Sequence, residues 1–122
     1  MKTTILLWGR AEGKTEALID RLHDHRIGSL NKLLITHNQK EIDRLKREYR
    51  FPMNTLALSF ISLGNGLARG MKPEMIFIDN AEFLEDTIFF DEIVPMLSNV
   101  KELVVSSSDR RMLELFNHEV FS

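Results

Sequence analysis

The stretch TTILLWGRAEGKTEALIDRL, residues 3–22, joins an apolar run to a helical pattern through a short loop. Its first part, TTILLWG, has the continuous apolar character of a buried strand. After the loop, apolar side chains recur at helical spacing at Ala17, Leu18 and Leu22. The sequence therefore predicts a strand, a loop and a helix in direct succession.

The loop itself, WGRAEGKT at residues 8–15, nearly matches a phosphate-binding pattern. That pattern is a glycine, four free positions and then Gly-Lys-Ser/Thr, and Trp8 stands where its first glycine is expected. The groups that contact phosphate lie further along. Backbone N–H groups near Gly13 bind phosphate oxygens, Lys14 reaches the β- and γ-phosphates, and Thr15 ligates magnesium. We therefore predict a nucleotide-binding loop, and the alternative is a helix N-terminus that carries Gly-Lys-Thr by chance. The predicted nucleotide-binding residues of this segment are Gly9, Arg10, Ala11, Glu12, Gly13, Lys14, Thr15 and Glu16.

Apolar runs and helical patterns alternate along the rest of the chain. Further strands are predicted at residues 32–37, 55–61, 74–79 and 101–108, and further helices at residues 38–50, 81–97 and 109–121. Asn38 is the predicted cap of the helix that it precedes. This alternation favours a parallel sheet covered on both faces, with ligands beyond the carboxyl ends of its strands. The predicted fold is a single α/β domain over residues 1–122, a three-layer P-loop NTPase fold with a mainly parallel sheet of about five strands.

The fourth predicted strand ends in a carboxylate, Asp79, which is followed by Asn80. In P-loop proteins an aspartate at this place holds the magnesium shell and contacts the loop Ser/Thr, so Thr15 and Asp79 are the predicted metal residues. The alternative is that Asp79 or Asn80 only caps the next helix. Many hydrolytic members have a glutamate directly after the aspartate, as the base that orients water. Here Glu82 either takes that role or is a solvated residue of the first helical turn.

Composition limits the classes of protein that the chain can belong to. Its 122 residues are enough for one domain, and 43% of them are hydrophobic, which supplies a core. The net charge of −2 excludes a broadly basic surface. The absence of cysteine excludes disulfides, thiolate metal sites and cysteine nucleophiles. The first apolar run is too short for a signal peptide or a membrane span, so we expect a cytoplasmic protein without a membrane partner.

Several segments resemble the large subunits of viral DNA-packaging terminases and, more broadly, helicases. The terminase loop often reads Gly-Gly-Arg-Gly-Ser-Gly-Lys-Ser/Thr, and residues 8–15 are similar to it. The matching positions are Gly9, Arg10, Gly13, Lys14 and Thr15, whereas Trp8, Ala11 and Glu12 depart from it. Three later segments resemble, in order, the next strand and helix of that family, the approach to its magnesium strand, and its coupling motif. They are LLITHNQKEIDRL (33–45), GLARGMKPEMIFIDNAEFLED (66–86) and LVVSSSD (103–109).

The resemblance implies an additional-strand P-loop ATPase core that binds ATP or GTP with Mg²⁺. It implies that Arg10 contacts a phosphate in cis and that Ser106 or Ser107 senses the γ-phosphate. The implied role is linked to nucleic acid, such as DNA packaging or helicase-like remodelling, in the host cytoplasm if the chain is viral. A terminase also carries a second motor lobe or a nuclease domain, so we expect a reduced core, a fragment, or one subunit of a homo-oligomer or larger motor assembly. The predicted catalytic residues are Lys14, Asp79, Glu82 and Arg10.

Two other functions fit the same sequence. Because no glutamate follows Asp79, the domain can be a non-hydrolysing nucleotide-binding module that regulates a protein partner. A weaker resemblance is to thymidine kinases, whose loop also ends in Gly-Lys-Thr and whose Asp-Glu-x-x-Phe is similar to DNAEF at residues 79–83. That resemblance implies a nucleoside kinase, although the chain has no cysteines for a zinc-binding lobe.

Two further features have open interpretations. The basic residues of the helix at residues 40–50 can contact the backbone of DNA or RNA, or they can form a solvated face with the acidic residues between them. His37 follows a predicted strand end, where it can contact the nucleotide, lie on the surface or cap a helix.

Overall fold

The computed structural model describes residues 1–7 and 13–109, together with the backbone of residues 119–121. These residues form one sheet of six parallel strands in the order β3-β2-β4-β5-β1-β6. The strands are β1 (Lys2–Leu7), β2 (Lys32–Thr36), β3 (Thr55–Ser59), β4 (Met75–Ile78), β5 (Glu102–Ser107) and β6 (Glu119–Phe121). The five predicted strands are therefore present, and the sheet is parallel throughout.

The sixth strand corrects the C-terminal end of the helix predicted over residues 109–121, of which residues 110–118 lie outside the described residues. Glu119–Phe121 pairs with β1, with Val120 opposite Ile5. The helical pattern of this segment does not decide its conformation at that end, because the outer edge of β1 offers unpaired backbone groups that a strand can satisfy. Tertiary pairing therefore overrides local periodicity here.

Of the four α-helices in the described residues, two lie where helices are predicted, one replaces the end of a predicted strand, and one is a short part of a longer predicted helix. They are α1 (Lys14–Leu22), α2 (Gln39–Glu48), α3 (Phe60–Gly64) and α4 (Asp86–Ile88). The strand predicted over residues 55–61 stops at Ser59, because the Ser59 side chain accepts a hydrogen bond from the Ser62 N–H at 3.1 Å and so caps α3. The helix predicted over residues 81–97 is a series of short pieces: a 3₁₀ turn (Ala81–Phe83), α4, a π turn (Phe89–Ile93) and a 3₁₀ segment (Val94–Asn99).

Two apolar cores lie on opposite faces of the sheet. Alternate residues of each strand point to different faces, so Ile5 and Leu7 belong to one core and Leu6 to the other. Helices α1 and α2 cover the Leu6 face with Leu18, Leu22 and Leu45. The opposite face is covered by α3 and the segment after β4, through Leu63, Phe89 and Ile93. The predicted three-layer arrangement is confirmed. None of the helices in the described part of the chain has the length and hydropathy needed to cross a bilayer.

The strand order sets the geometry of the functional edge. β5 lies between β1 and β4, which is the additional-strand arrangement implied by the resemblance. Ile5, Val105, Ile78 and Ile35 stand opposite one another across four neighbouring strands. The carboxyl ends of these strands are therefore level, and the residues that follow them meet at one edge.

Candidate functional site

The structure describes the predicted phosphate-binding loop from Gly13 onward. Gly13 has φ +82°, a left-handed conformation that glycine adopts without strain, and α1 begins at the next residue. The first N–H groups of α1 have no partner within the helix, and Gly13 has no side chain with which to cap them. This helix start is therefore suited to an anion. The predicted loop residues Gly9, Arg10, Ala11 and Glu12, and Trp8 before them, lie outside the described residues.

Thr15 and Asp79 are in direct contact. The Thr15 hydroxyl donates to the Asp79 carboxylate, with Oγ1 at 3.0 Å from Oδ2 and 3.2 Å from Oδ1. The two residues are 64 positions apart in the chain, so the fold alone brings them together. A hydroxyl and a carboxylate oxygen are both hard oxygen donors, which is the donor type that Mg²⁺ prefers. The pair fits the predicted metal site.

Asp79 is fully buried and receives hydrogen bonds from several elements. Ser106, at the end of β5, donates its hydroxyl proton to Oδ1. The Asn80 amide nitrogen lies 3.4 Å from Oδ2. Burial raises the pKa of Asp79, and the hydrogen bonds from Ser106 and Thr15 oppose that shift only in part. The Asp79 carboxylate is therefore held at fixed geometry in a place where a nearby cation would favour its charged form.

The two serines that end β5 have different partners. Ser106 contacts Asp79, whereas the Ser107 hydroxyl accepts a hydrogen bond from the Asp109 N–H at 3.1 Å. Adjacent strand residues point to opposite faces, which explains the difference. Of the two predicted sensor residues, Ser106 is the one that contacts the Asp79 carboxylate.

Lys14 and Glu82 form an ion pair inside the site. Lys14 Nζ lies 2.6 Å from Glu82 Oε2, and their side chains are only 9% and 11% exposed. The Ser108 hydroxyl also donates to Glu82 Oε2, at 2.8 Å. Burial acts to raise the pKa of Glu82, but the hydrogen bonds from Lys14, from the backbone N–H of Glu82 and from Ser108, together with the charge of Lys14, outweigh it, so the pKa is lowered. The interpretation of Glu82 as a solvated first-turn residue is wrong.

Asn80 does not act as a helix cap through its side chain. It precedes the 3₁₀ turn Ala81–Phe83 with φ +56°, a left-handed conformation that asparagine tolerates better than most residues, and makes no side-chain cap hydrogen bond. Its backbone N–H donates to Ser106 Oγ at 3.1 Å. Its side-chain amide nitrogen lies 3.3 Å from His37 Nδ1. Asn80 thus connects the ends of β2, β4 and β5.

A cavity of about 480 Å³ opens in front of these groups. Its walls come from the start of α1, the segment after β2, helix α2 and the segment after β4. The lining residues are Gly13, Lys14, Thr15, Glu16, His37, Glu41, Arg44, Tyr49, Asn80, Glu82 and Phe83. The predicted residues Lys14, Thr15, Asp79, Glu82 and Ser106 are brought together beside this cavity, which Glu16 also lines.

Sequence reasoning did not identify Ser108 or Arg44 as parts of the site. Ser108 is the third serine in a run that follows a strand, and only the tertiary contact with Glu82 distinguishes it from Ser107. In the sequence, Arg44 is only one of several basic residues within residues 40–50. In the structure it lines the cavity and is paired with Glu41 and, at 2.7 Å, with Glu48. The remaining basic residues of that segment are exposed, namely Lys40, Lys46, Arg47 and Arg50.

Comparison with known proteins finds similar folds but no matching sequence family. No protein-family model matches the chain, and no curated protein matches its sequence. Two solved structures of the large terminase ATPase domain of Thermus phage P74-26 are similar to it. One, a mutant, has a TM-score of 0.61 at 15% identity, and the other has a TM-score of 0.56 at 16% identity. Each comparison covers 85% of this chain and 59% of the other. The chain therefore has a terminase-like P-loop fold and spans 59% of the length of these two structures.

Proposed function

We propose that this domain binds a purine nucleoside triphosphate, ATP in the first instance, together with Mg²⁺. The observation that carries this proposal is the contact between Thr15 and Asp79, at 3.0 Å, beside a helix start that presents Lys14 and free N–H groups to an open cavity. The fold similarity to terminase ATPase domains supports it. If Gly-Lys-Thr occurred at this helix start by chance, we would not expect Thr15 to contact the buried Asp79 carboxylate, which follows a different strand.

Each group has a defined part in this binding. Lys14 and the N–H groups of the first turn of α1 would hold the phosphates, and Thr15 and Asp79 would hold the metal. Bound Mg²⁺ supplies positive charge that neutralises the phosphate oxygens. Ser106 fixes the orientation of the Asp79 carboxylate, because its hydroxyl donates to one carboxylate oxygen while Thr15 contacts both.

Nucleotide binding requires Lys14 to exchange partners. In the structure its ammonium group contacts Glu82 at 2.6 Å. A phosphate that takes over Lys14 releases the Glu82 carboxylate into the cavity that both residues line. We propose that the released Glu82 then accepts the proton of the attacking water, a role for which the amide of Asn80 is unsuited. Hydrolysis by this route is the leading function.

The leading biological role is work on nucleic acid, such as DNA packaging, within a homo-oligomer or larger motor assembly. Exposed basic side chains on and just after α2 supply the local positive charge that a phosphate backbone requires. They are Lys40, Lys46, Arg47 and Arg50. DNA should therefore bind in a salt-dependent manner and stimulate phosphate release. Neutralising Lys46 and Arg47 together should reduce both effects without changing ATP affinity.

One observation favours a second function, a non-hydrolysing regulatory module. Asn80 occupies the position after Asp79 and donates toward both Asp79 and His37, so it is built into the site as a structural link. A domain of this kind would bind the triphosphate and report its presence to a protein partner. Tight binding without phosphate release would establish that function in place of the ATPase, and transfer of phosphate to a nucleoside would establish the kinase alternative.

The decisive experiment is calorimetric titration of the chain with ATP and Mg²⁺, followed by a phosphate-release assay. Lys14→Ala should abolish binding and release. Lys72→Ala is the matched control, because Lys72 is an exposed lysine near the amino-terminal ends of the strands, where it lines a different cavity with Asn31 and Asn54. If the unaltered chain binds no nucleotide at millimolar concentration with Mg²⁺, the proposal is wrong.

A further inference from the structure

A histidine forms part of the cavity wall without a role in the proposed binding of phosphate and metal. His37 follows β2, is half-buried, and packs its ring against Phe83 with the ring centres 5.5 Å apart. It does not cap α2, because Asn38 does so by accepting the Glu41 N–H at 2.8 Å. Its capping interpretation is therefore wrong, and the ring is available to the cavity.

Asn80 determines which nitrogen of the His37 ring carries the proton. The Asn80 amide nitrogen is a donor, and it lies 3.3 Å from His37 Nδ1 and 3.4 Å from Asp79 Oδ2. The opposite orientation of the amide would place its carbonyl oxygen against the Asp79 carboxylate, which is repulsive. His37 Nδ1 therefore accepts, and the ring proton is on Nε2. Within residues 1–7 and 13–109, Nε2 has no hydrogen-bond partner.

The His37 Nε2–H donor is positioned to contact the terminal phosphate of a bound nucleotide. Two hydrogen-bond contacts of the Asn80 side chain, with Asp79 and with His37, connect the predicted metal carboxylate to the segment after β2 along the cavity wall. Lys14 and Thr15 line the cavity from the start of α1, which follows β1, and β1 is separated from β2 by β4 and β5. A phosphate chain anchored at α1 and extended past Asp79 would thus meet His37 last.

We propose that His37 recognises the terminal phosphate of the triphosphate through its Nε2–H, and that Asn80 is the positioning residue that holds His37 in this tautomer. The proposal rests on the proposed function and deepens it, because it assigns the discrimination between triphosphate and diphosphate to a particular pair of residues. A diphosphate anchored at α1 does not extend to His37 and leaves this donor without a ligand. The affinity of the site for a diphosphate is therefore independent of His37.

The tautomer is tested first by ¹⁵N NMR of the imidazole nitrogens in histidine-labelled protein without nucleotide. His37 should show a protonated Nε2 and an unprotonated Nδ1. In Asn80→Ala the ring should shift toward a mixture of the two neutral forms, because the donor to Nδ1 is lost. A protonated Nδ1 in the unaltered chain overturns the proposal.

Binding is tested with a non-hydrolysable triphosphate analogue and with the diphosphate, each with Mg²⁺. His37→Phe keeps a ring against Phe83 but has no donor, and His37→Gln restores an N–H near the position of Nε2. His37→Phe should weaken triphosphate binding about tenfold, the effect of losing one hydrogen bond to a charged group. Diphosphate affinity should stay the same, and His37→Gln should keep most of the triphosphate affinity.

The outcomes separate this proposal from the function on which it rests. If the unaltered chain binds neither nucleotide, both the proposed function and this inference are wrong. If it binds both nucleotides and His37→Phe weakens them equally or not at all, only the inference about His37 is wrong. Unfolding curves of each variant show whether a loss of binding reflects a loss of folded protein.

Discussion

Replacing Glu82 with glutamine should strengthen nucleotide binding while weakening the nucleotide-free protein. Glu82 is the partner of Lys14 at 2.6 Å, and this ion pair must open before Lys14 can contact a phosphate. Glutamine keeps the shape of the side chain and a neutral acceptor but removes the charge. The unfolded protein and the nucleotide-bound protein make no use of the pair, so its loss affects mainly the nucleotide-free folded state.

The magnitude follows from the burial of the pair. With side chains 9% and 11% exposed, solvent screens the interaction little, and a hydrogen bond between charged groups contributes about 1.5–3 kcal/mol. The free energy of unfolding without nucleotide should therefore fall by about 1–2 kcal/mol in Glu82→Gln, since the neutral acceptor retains part of the bond. The affinity for nucleotide should rise by about tenfold, because each 1.4 kcal/mol is a factor of ten.

The assay combines chemical denaturation without nucleotide, calorimetric titration with ATP and Mg²⁺, and phosphate release at saturation. Turnover should fall although affinity rises, because the variant lacks the proposed base. Glu85→Gln is the matched control, since Glu85 is exposed on the same segment, and it should change none of the three measurements. Weaker nucleotide binding by Glu82→Gln, with the protein still folded, would show that Glu82 does not compete for Lys14.

Three further predictions concern the stability of the site. Gly13→Ala should lower the free energy of unfolding by about 1 kcal/mol in urea denaturation, because φ at Gly13 is +82°, a conformation that alanine disfavours. The added Cβ meets no atom within 4 Å, so no steric clash adds to this cost. An unchanged denaturation midpoint would contradict the prediction. Without nucleotide, Asp79→Asn should be as stable as the unaltered chain or more stable, since burial raises the pKa of Asp79 and disfavours its charge. The same variant should lose the Mg²⁺-dependent rise in Tm that ATP produces, and a retained rise would exclude Asp79 from the metal site. The pKa of Glu82 is lowered from 4.5, so its ion pair should stabilise the protein above that pH and be lost as the pH falls through the lower folded value. The stability difference between the unaltered chain and Glu82→Gln should therefore shrink on acidification below pH 4.5, and a constant difference would contradict the ion pair.

Local sequence was sufficient wherever the deciding interactions lie within one element. Four of the five predicted strands, β1, β2, β4 and β5, are almost entirely buried, because both faces of the sheet are covered and each run is mainly apolar. The fifth, β3, is an edge strand and is only partly buried. The Asn38 cap depends on an N–H three residues away. The positive φ of Gly13 is a local conformation that glycine permits.

Sequence was insufficient where the same local pattern allows two outcomes. Residues 119–121 carry a helical pattern but pair with β1, because the free edge of that strand is available only in the folded protein. Ser106 and Ser107 are equivalent in sequence, and the direction in which each points from β5 decides that Ser106 contacts Asp79.

The chemistry of the candidate site depends most on the tertiary structure. The sequence shows which groups are present: a glycine, a lysine and a threonine at a helix start, and a carboxylate and an amide after a buried strand. The contacts of Lys14 with Glu82, and of Asn80 with His37, join residues 68 and 43 positions apart. Local periodicity cannot predict contacts between residues so far apart in sequence. These contacts result from the strand order β2-β4-β5-β1, which depends on the packing of the whole sheet. The sequence therefore identifies the side chains of the candidate site. Which of them contact each other depends on the tertiary structure, because the fold brings the carboxyl ends of different strands together.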